Sequence, residues 1–220
     1  GKKLVTFTTG GDPDFNTSLE ILKTIINNGI DIIEIGMPFS DPMADGPTIQ
    51  ESSVRSLSNG TKINDIFEIV MNIRNLNNEI PIILMGYYNS IFNLGIDNFT
   101  AKCAETGVDG LIIVDLQPEE DSELLTKTKE KGIDLIRLIT PTTDQKRLTT
   151  ILSNASGFLY YVTVTGITGQ NSANIEDLKK SINTIKSSTK LPIVAGFGIK
   201  NKNDVEQIST FTDGVVVGSS

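Results

Sequence analysis

The sequence contains no histidine, and this absence excludes several kinds of active site at once. Ser–His and Cys–His nucleophile pairs, histidine general bases and the commonest zinc and iron ligand sets all need an imidazole. The single cysteine, Cys103, cannot form an internal disulfide, so we expect a reducing compartment, the cytoplasm. Because no histidine is present to activate its thiol, we interpret Cys103 as a small, buried apolar residue.

Positive charge and long apolar runs are also scarce. The chain has 19 Lys and Arg against 27 Asp and Glu, and its net charge of −8 argues against nucleic acid or an anionic membrane surface as partner. No apolar run approaches the roughly 20 residues that span a bilayer. The sequence starts at Gly1 without a methionine and stops at Ser220, directly after an apolar run. We therefore expect that an N-terminal segment and a C-terminal helix are missing from it.

Short apolar runs alternate with longer amphipathic stretches along the whole chain. The expected strands are the eight runs at 4–8, 31–35, 81–85, 110–114, 134–139, 157–162, 192–196 and 214–218. The expected helices are the stretches at 18–29, 63–77, 99–107, 118–132, 174–188 and 202–210. Strands that are apolar at nearly every residue are typical of parallel sheets covered on both faces. The sequence predicts an α/β fold, a single (β/α)₈ TIM barrel domain over residues 1–220, with an open doubly wound sheet as the alternative.

A glutamate, Glu34, interrupts the second predicted strand. Ile33 and Ile35 share the opposite face, so if they pack on helices, Glu34 points into the barrel mouth. Apolar neighbours would raise its pKa and suit it to general acid catalysis. The proline-rich loop that follows can hold Asp45 opposite Glu34, and two carboxylates in one cleft can take different protonation states. The alternative is that Glu34 is tied to a loop amide or a lysine as a structural pair.

Glycine-bearing turns follow the last three predicted strands. They contain Gly169, Gly198, and Gly218 with Ser219. Barrels often bind phosphate at the loops after strands seven and eight, where small residues let the anion approach backbone N–H groups. We interpret these turns as a phosphate site; the alternative is that they are only tight turns.

Two further absences narrow the chemistry. A Schiff-base aldolase needs a lysine inside the barrel mouth, and the lysines here fall on predicted helices and loops or at the wrong end of the first strand. Metal-dependent aldolases usually use histidine ligands, so we expect no metal. Glu34 and Asp45 must therefore act without a Schiff-base lysine and without a metal ion.

One combination of segments runs through essentially the whole sequence: FTTGGDPD (7–14), IEIGMPFSDPMADGPTIQ (33–50), MGYYNSIFNLGID (85–97), GVDGLIIVDLQPEE (107–120), TGITG (165–169), AGFGI (195–199) and VVVGSS (215–220). This combination resembles the tryptophan synthase α chain family. The resemblance implies a (β/α)₈ lyase of tryptophan biosynthesis, which cleaves indole-3-glycerol phosphate to indole and glyceraldehyde 3-phosphate. It also implies that Glu34 is the general acid–base and that Asp45 binds the indole N–H.

The resemblance implies the residues around the substrate as well. It assigns the phosphate to Gly169, Gly198, Gly218 and Ser219. It assigns the indole pocket and a closing lid to Phe7, Met85, Ile112, Val114, Leu138, Tyr160 and Thr168. For Ile112 and Leu138, a place in the barrel core is the alternative.

The resemblance finally implies a partner. Members of the family bind a pyridoxal-phosphate-dependent β chain in an α₂β₂ heterotetramer, so no cofactor is expected in this chain. We assign Asp41, Asn89 and Phe92, which lie in the matching loops, to that contact. Two other functions remain as alternatives. Indoleglycerol phosphate synthase would need a lysine at a strand end, and a non-catalytic activating subunit would not need the Glu34–Asp45 pair.

Overall fold

The computed structural model of the protein describes residues 1–162, 172–196, 198–199 and 201–218, with the backbone alone at 172–174. By their contacts, these residues divide into two compact units. One unit is Thr6–Asp134; the other joins Gly1–Val5 to Leu135–Ser220. Strands and helices alternate in both units, as the sequence predicted.

The unit Thr6–Asp134 contains most of the predicted acid chemistry. Its elements are β1 (Lys3–Thr9, which begins in the other unit), α1 (Phe15–Asn27), β2 (Ile32–Gly36), α2 (Pro47–Ser58), α3 (Ile63–Leu76), β3 (Ile82–Gly86), α4 (Tyr88–Leu94), α5 (Ile96–Thr106), β4 (Gly110–Ile113), α6 (Ser122–Lys131) and β5 (Asp134–Leu135, which ends in the other unit). The strands lie in the order β5-β4-β3-β2-β1. The β2–β3 and β3–β4 pairs are parallel, with Glu34 opposite Ile83 and Met85 opposite Ile112.

Apolar side chains from both the strands and the helices fill the core of this unit. The fully buried ones include Leu22, Ile33, Ile35, Ile66, Ile69, Ile73, Ile82, Leu84, Ile91 and Phe99. Cys103 on α5 is 0% exposed, which confirms that it is a buried apolar residue. Burial on both faces of the strands explains why their sequences are apolar at consecutive positions.

Helix α2 departs from this pattern because polar groups attach it to its unit. Its buried side chains are Ser52, Ser53 and Ser56. Ser52 Oγ lies 2.5 Å from Thr9 Oγ1 on β1, and Ser56 Oγ donates a hydrogen bond of 2.7 Å to the Gly10 carbonyl. The buried face of α2 is therefore held by directional hydrogen bonds.

The C-terminal half of α2 makes further polar contacts with the loop after β1. Arg55 forms a two-point ion pair with Asp12, at 2.8 Å from Nε to Oδ1 and 2.9 Å from Nη2 to Oδ2. Asn59 Nδ2 donates to the Pro13 carbonyl at 2.6 Å. Val54, by contrast, is 58% exposed. An apolar residue outside and serines inside reverse the usual amphipathic pattern, so the sequence analysis missed α2.

The second unit repeats the β/α alternation. Its elements are β6 (Arg137–Ile139), α7 (Gln145–Ser153), β7 (Leu159–Val162), α8 (Ser172–Ser188), β8 (Ile193–Gly196), α9 (Lys202–Ser209) and β9 (Gly214–Val217). The strands lie in the order β6-β7-β8-β9, and each neighbouring pair is parallel. Its core includes Ile139, Leu148, Leu159, Tyr161, Ile182, Ile193, Ile208 and Val215.

The observed elements differ from the predicted ones at one strand and at three helices. The run 134–139, predicted as one strand, is divided at Ile136 because β5 is ordered next to β4 whereas β6 pairs with β7. The helices α2, α4 and α7 were not predicted. Helices α4 and α7 have only 7 and 9 residues, so they are shorter than the window of about 11–18 residues over which hydrophobic periodicity indicates a helix.

A membrane span is not found in the described part of the chain, where no helix is both long and apolar enough to cross a bilayer.

Candidate active site

Glu34 lies in the middle of β2 and is only 1% exposed. Its neighbour Ile35 and Ile66 of α3 both lie close to Gly10, at 3.1 Å and 2.5 Å from the position that a Cβ atom on that glycine would take. Neither carboxylate oxygen of Glu34 has a hydrogen-bond partner among the described residues. Burial, and then the negative charge of Asp45, raise the pKa of Glu34 to about 8. The Glu34 carboxyl is therefore mostly protonated at neutral pH, as a general acid must be.

Asp45 lies at the end of the β2–α2 loop, immediately before the N-cap residue of α2, Gly46. The loop is anchored there, since Gln50 Nε2 donates to the Asp45 carbonyl at 2.9 Å. The Asp45 side chain accepts a hydrogen bond of 3.0 Å from Tyr87 Oη at Oδ2. Burial raises the pKa of Asp45, and the Tyr87 hydrogen bond opposes that rise. The two acids thus have different surroundings, because Asp45 has a hydrogen-bond donor and Glu34 has none among the described residues.

An open pocket lies beside Asp45, with about 270 Å³ of empty space when the solvent at its mouth is included. Phe7, Met85 and Val114, all predicted for the indole pocket, line it. Its other lining residues are Thr9, Gly36, Met37, Ile49, Ser53, Gly86 and Tyr87. Apolar walls with a few polar groups suit a flat aromatic ligand. Glu34 and Ile112 do not line this pocket; Ile112 is 0% exposed, as expected for its alternative role in the core.

The position of Phe7 depends on the glycine that ends β2. A Cβ atom on Gly36 would lie 2.6 Å from Phe7 Cζ, much closer than atoms approach without a shift. Any larger residue at position 36 would therefore displace the Phe7 ring. Because both residues line the pocket, Gly36 helps to determine its shape.

Leu138 and Tyr160 lie on the neighbouring strands β6 and β7, where they are paired in register. Leu138 is partly buried and Tyr160 is 8% exposed. The Tyr160 ring packs over Gly196 at the end of β8, where a Cβ atom would lie 2.8 Å from Tyr160 Oη. Their assignment to the indole pocket stays a prediction. Thr168 lies outside the described residues.

Two of the predicted phosphate residues follow neighbouring parallel strands. Gly198 follows β8 and Gly218 follows β9, and both are exposed. Gly198 has φ 63°, a left-handed conformation that glycine adopts without steric cost. Exposed glycines at adjacent strand ends leave their backbone groups open to a ligand. Gly169 and Ser219 lie outside the described residues.

The three residues assigned to a partner contact are all on the surface. Asp41 and Asn89 are exposed, and Phe92 on α4 is 67% exposed. Met43 lies in the same loop as Asp41 and is 88% exposed.

Tyr87 is a residue that the sequence analysis missed. It directly follows β3 and is 6% exposed, and its hydroxyl contacts Asp45. Its place at a strand end, where barrel active sites collect their residues, was the available signal. Among the described residues, no group of three or more His, Cys, Asp and Glu side chains is placed to hold a metal ion.

Comparisons with solved structures define the class of protein. The chain matches a protein from Aquifex aeolicus VF5 with TM-score 0.92 and 40% identity, over 99% of this chain and 83% of that one. It matches tryptophan synthase subunit alpha from Legionella pneumophila str. Paris with TM-score 0.91 and 37% identity, over 99% and 80% of the two chains. It matches tryptophan synthase from Mycobacterium tuberculosis with TM-score 0.92 and 31% identity, over 99% and 83%. The predicted TIM-barrel α/β fold is confirmed.

Fold and family identify the enzyme class. The family model described as tryptophan synthase alpha chain matches residues 1–220. The chain belongs to the tryptophan synthase alpha chain family. It is a carbon–carbon lyase of tryptophan biosynthesis, and the reaction of its family is the retro-aldol cleavage of indole-3-glycerol phosphate.

Proposed function

We propose that Glu34 and Asp45 carry out the cleavage of indole-3-glycerol phosphate, with Glu34 as general acid–base and Asp45 as the group that binds the indole N–H. One observation supports this most strongly. A carboxyl on a strand, 1% exposed and with its pKa raised to about 8, is influenced by the charge of a second carboxyl that lines an apolar pocket. Two acids with different surroundings are what a reaction with separate proton-donating and anionic roles requires.

The reaction follows from these two roles. Protonated Glu34 gives its proton to C3 of the indole ring, and the ring nitrogen becomes positively charged. The Asp45 carboxylate accepts the N–H hydrogen bond and stabilises that charge. Glu34, now ionised, removes the proton of the glycerol hydroxyl next to the ring; the C–C bond breaks, and its electron pair returns to the ring. Indole and glyceraldehyde 3-phosphate leave, and Glu34 is again protonated.

The remaining predicted residues bind the substrate in this proposal. Phe7, Met85 and Val114 contact the indole ring, an assignment supported by their place in the pocket beside Asp45. The backbone of Gly198 and Gly218 contacts the phosphate, supported by their exposure at adjacent strand ends. Gly169, Ser219 and the Thr168 lid keep the roles that the resemblance implies, as do Leu138 and Tyr160, whereas the buried Ile112 takes its alternative place in the core.

The proposal extends to the partner and the cofactor. The chain pairs with a tryptophan synthase β chain in an α₂β₂ heterotetramer of the cytoplasm, and pyridoxal phosphate belongs to the β chain. The exposure of Asp41, Asn89 and Phe92 supports a contact through the loops after β2 and β3. The cleavage itself then uses side chains of the present chain.

Indole release by the purified chain, alone and with added β chain, tests this function. Glu34→Gln keeps the shape of the side chain but cannot donate or take the proton, so release should fall by about 10²–10⁴-fold or more. Glu68→Gln, on the exposed surface of α3, makes the same chemical change away from the pocket and should have no effect. Substantial indole release by a folded Glu34→Gln variant would show that the strand glutamate is structural.

A further inference from the structure

Tyr87 makes more contacts with the β2–α2 loop than the pairing with Asp45 alone. Its hydroxyl accepts a hydrogen bond of 2.9 Å from the Ala44 N–H and donates one of 3.0 Å to Asp45 Oδ2. Its ring stacks on Phe39, with ring centroids 5.1 Å apart and an angle of 22° between the planes. One side chain thus contacts the loop at three residues, two of which are adjacent to each other.

The sheet holds Tyr87 from the other side. Tyr87 is the residue after β3. The backbone hydrogen bonds between strands continue to this point: the Met37 N–H donates to the Met85 carbonyl at 2.7 Å, and the Val114 N–H donates to the Gly86 carbonyl at 3.0 Å. The ring is 6% exposed. The phenol of Tyr87 therefore attaches the loop that carries Asp45 to the end of β3.

The direction of the two hydrogen bonds is determined by their partners. The Ala44 N–H can only donate, so it occupies an acceptor position of the phenol oxygen. An ionised Asp45 can only accept, so the single phenol proton must point at Oδ2. Within the described residues, no other side chain donates to the Asp45 carboxylate, and Oδ1 is left for a ligand. The arrangement selects one orientation of the carboxylate.

We propose that Tyr87 is a positioning residue, whose hydroxyl holds the Asp45 carboxylate in one orientation and leaves Oδ1 to accept the indole N–H. This inference rests on the proposed function of Asp45. Two pKa shifts agree with it: the hydrogen bond from Tyr87 opposes the rise in the pKa of Asp45, and burial raises the pKa of Tyr87 itself to about 12. Tyr87 therefore keeps its proton at neutral pH.

The test is Tyr87→Phe, which removes the hydroxyl and keeps the ring that stacks on Phe39. We expect kcat for indole release to fall by about ten- to hundredfold, as for the loss of a hydrogen bond to a charged group, with little change in KM. The acid limb of the pH profile should move to higher pH, because Asp45 loses the donor that favours its ionised form. The titration of the Asp45 carboxyl, followed by NMR, should move in the same direction.

Two variants serve as controls. Tyr88→Phe removes the hydroxyl of the next residue, which packs on Phe92 at 6.3 Å and has no hydroxyl bond among the described residues, and it should leave the profile unchanged. Phe39→Leu removes the stacking and keeps both hydroxyl bonds, so Asp45 should titrate as in the wild type. If Tyr87→Phe does not fold, Phe39→Leu still tests the idea, since an Asp45 titration displaced in that variant would show that the stack, not the hydroxyl, matters.

The outcomes separate this inference from the proposed function. If Asp45→Asn retains wild-type indole release, the function of Asp45 is wrong. If Asp45→Asn is inactive while Tyr87→Phe keeps the wild-type kcat, pH profile and carboxyl titration, the function stands and the role of Tyr87 is overturned. If Tyr87→Phe lowers kcat in the wild type and has no further effect in the Asp45→Asn background, the positioning role is supported.

Discussion

The two regions that carry the proposed chemistry are built in opposite ways. In β2 and the loop after it, the functional groups are carboxyl side chains, one 1% exposed and the other held by a tyrosine. At the ends of β8 and β9, the functional positions are exposed glycines, which contribute backbone and no side chain. The first region depends on charge and protonation, and the second on open space. Mutations in them should therefore affect different kinetic constants.

The largest effect on activity is expected at Asp45, in the region that depends on charge. Asp45→Asn keeps the size of the side chain and its contact with Tyr87 but removes the negative charge that stabilises the cationic ring. We expect kcat to fall by about 10²–10³-fold with little change in KM, as when one preorganised electrostatic contact is lost. Asp45→Glu, which keeps the charge, should retain a trace of activity, and Asp177→Asn on the exposed surface of α8 is the control. If Asp45→Asn changed only KM, the two regions would not affect different kinetic constants.

A smaller effect, on the other constant, is expected at Gly198. Gly198→Asp puts a side chain and a negative charge where the phosphate should approach, and like charges in contact are unfavourable. We expect KM for indole-3-glycerol phosphate to rise by roughly ten- to hundredfold while kcat stays near the wild-type value.

Gly132→Asp is the matched control for that variant. Gly132 ends α6, is exposed, and has φ 69°, close to the 63° of Gly198, and a Cβ atom added to it would meet no other atom within 4 Å. An aspartate at position 132 therefore has the same backbone strain and the same added charge as one at position 198. Equal KM values for the two variants would place the phosphate elsewhere.

The smallest effect is expected on the free energy of unfolding, through the titration of Glu34. The pKa of Glu34 rises from 4.5 to about 8 on folding, so its protonated form favours the folded state. The stability that this group contributes is fully present below pH 4.5 and is lost as the pH rises towards 8. Glu34→Gln should remove a pH dependence of at most about 1.4 kcal/mol per pH unit from the free energy of unfolding. Urea unfolding of both proteins between pH 5 and pH 8 measures this difference; parallel curves would contradict it.

The sequence predicted the parts of the site that depend on one residue type in one regular element. Glu34 was visible because a charge in an apolar strand is unusual, and its burial and raised pKa agree with that interpretation. The glycines after β8 and β9 could be predicted because each directly follows an apolar strand, where a barrel binds its ligands. That residues 1–220 form one domain stays a prediction.

The contacts that depend on two distant segments were not visible. Nothing in the sequence shows that Tyr87 reaches back to Asp45 across 42 positions, because that contact exists only once β2 and β3 are paired. Helix α2 was missed for a related reason, since its buried serines form hydrogen bonds with Thr9 and Gly10, which are distant in the sequence. Hydrophobic periodicity is a local signal and does not report such pairs.

The hydrogen bonds of α2 also determine how the helix is rotated about its own axis. Apolar contacts would hold a helix at a range of rotations, whereas the bonds of Ser52 and Ser56 are made at one. Ile49 and Ser53, one turn apart on the same helix, both line the pocket. A shift of one residue would turn the helix by about 100° and move them out of the wall. The rotation of α2 about its axis thus helps to determine the shape of the pocket beside Asp45, and a helix of the same hydrophobicity without these serines would not preserve it.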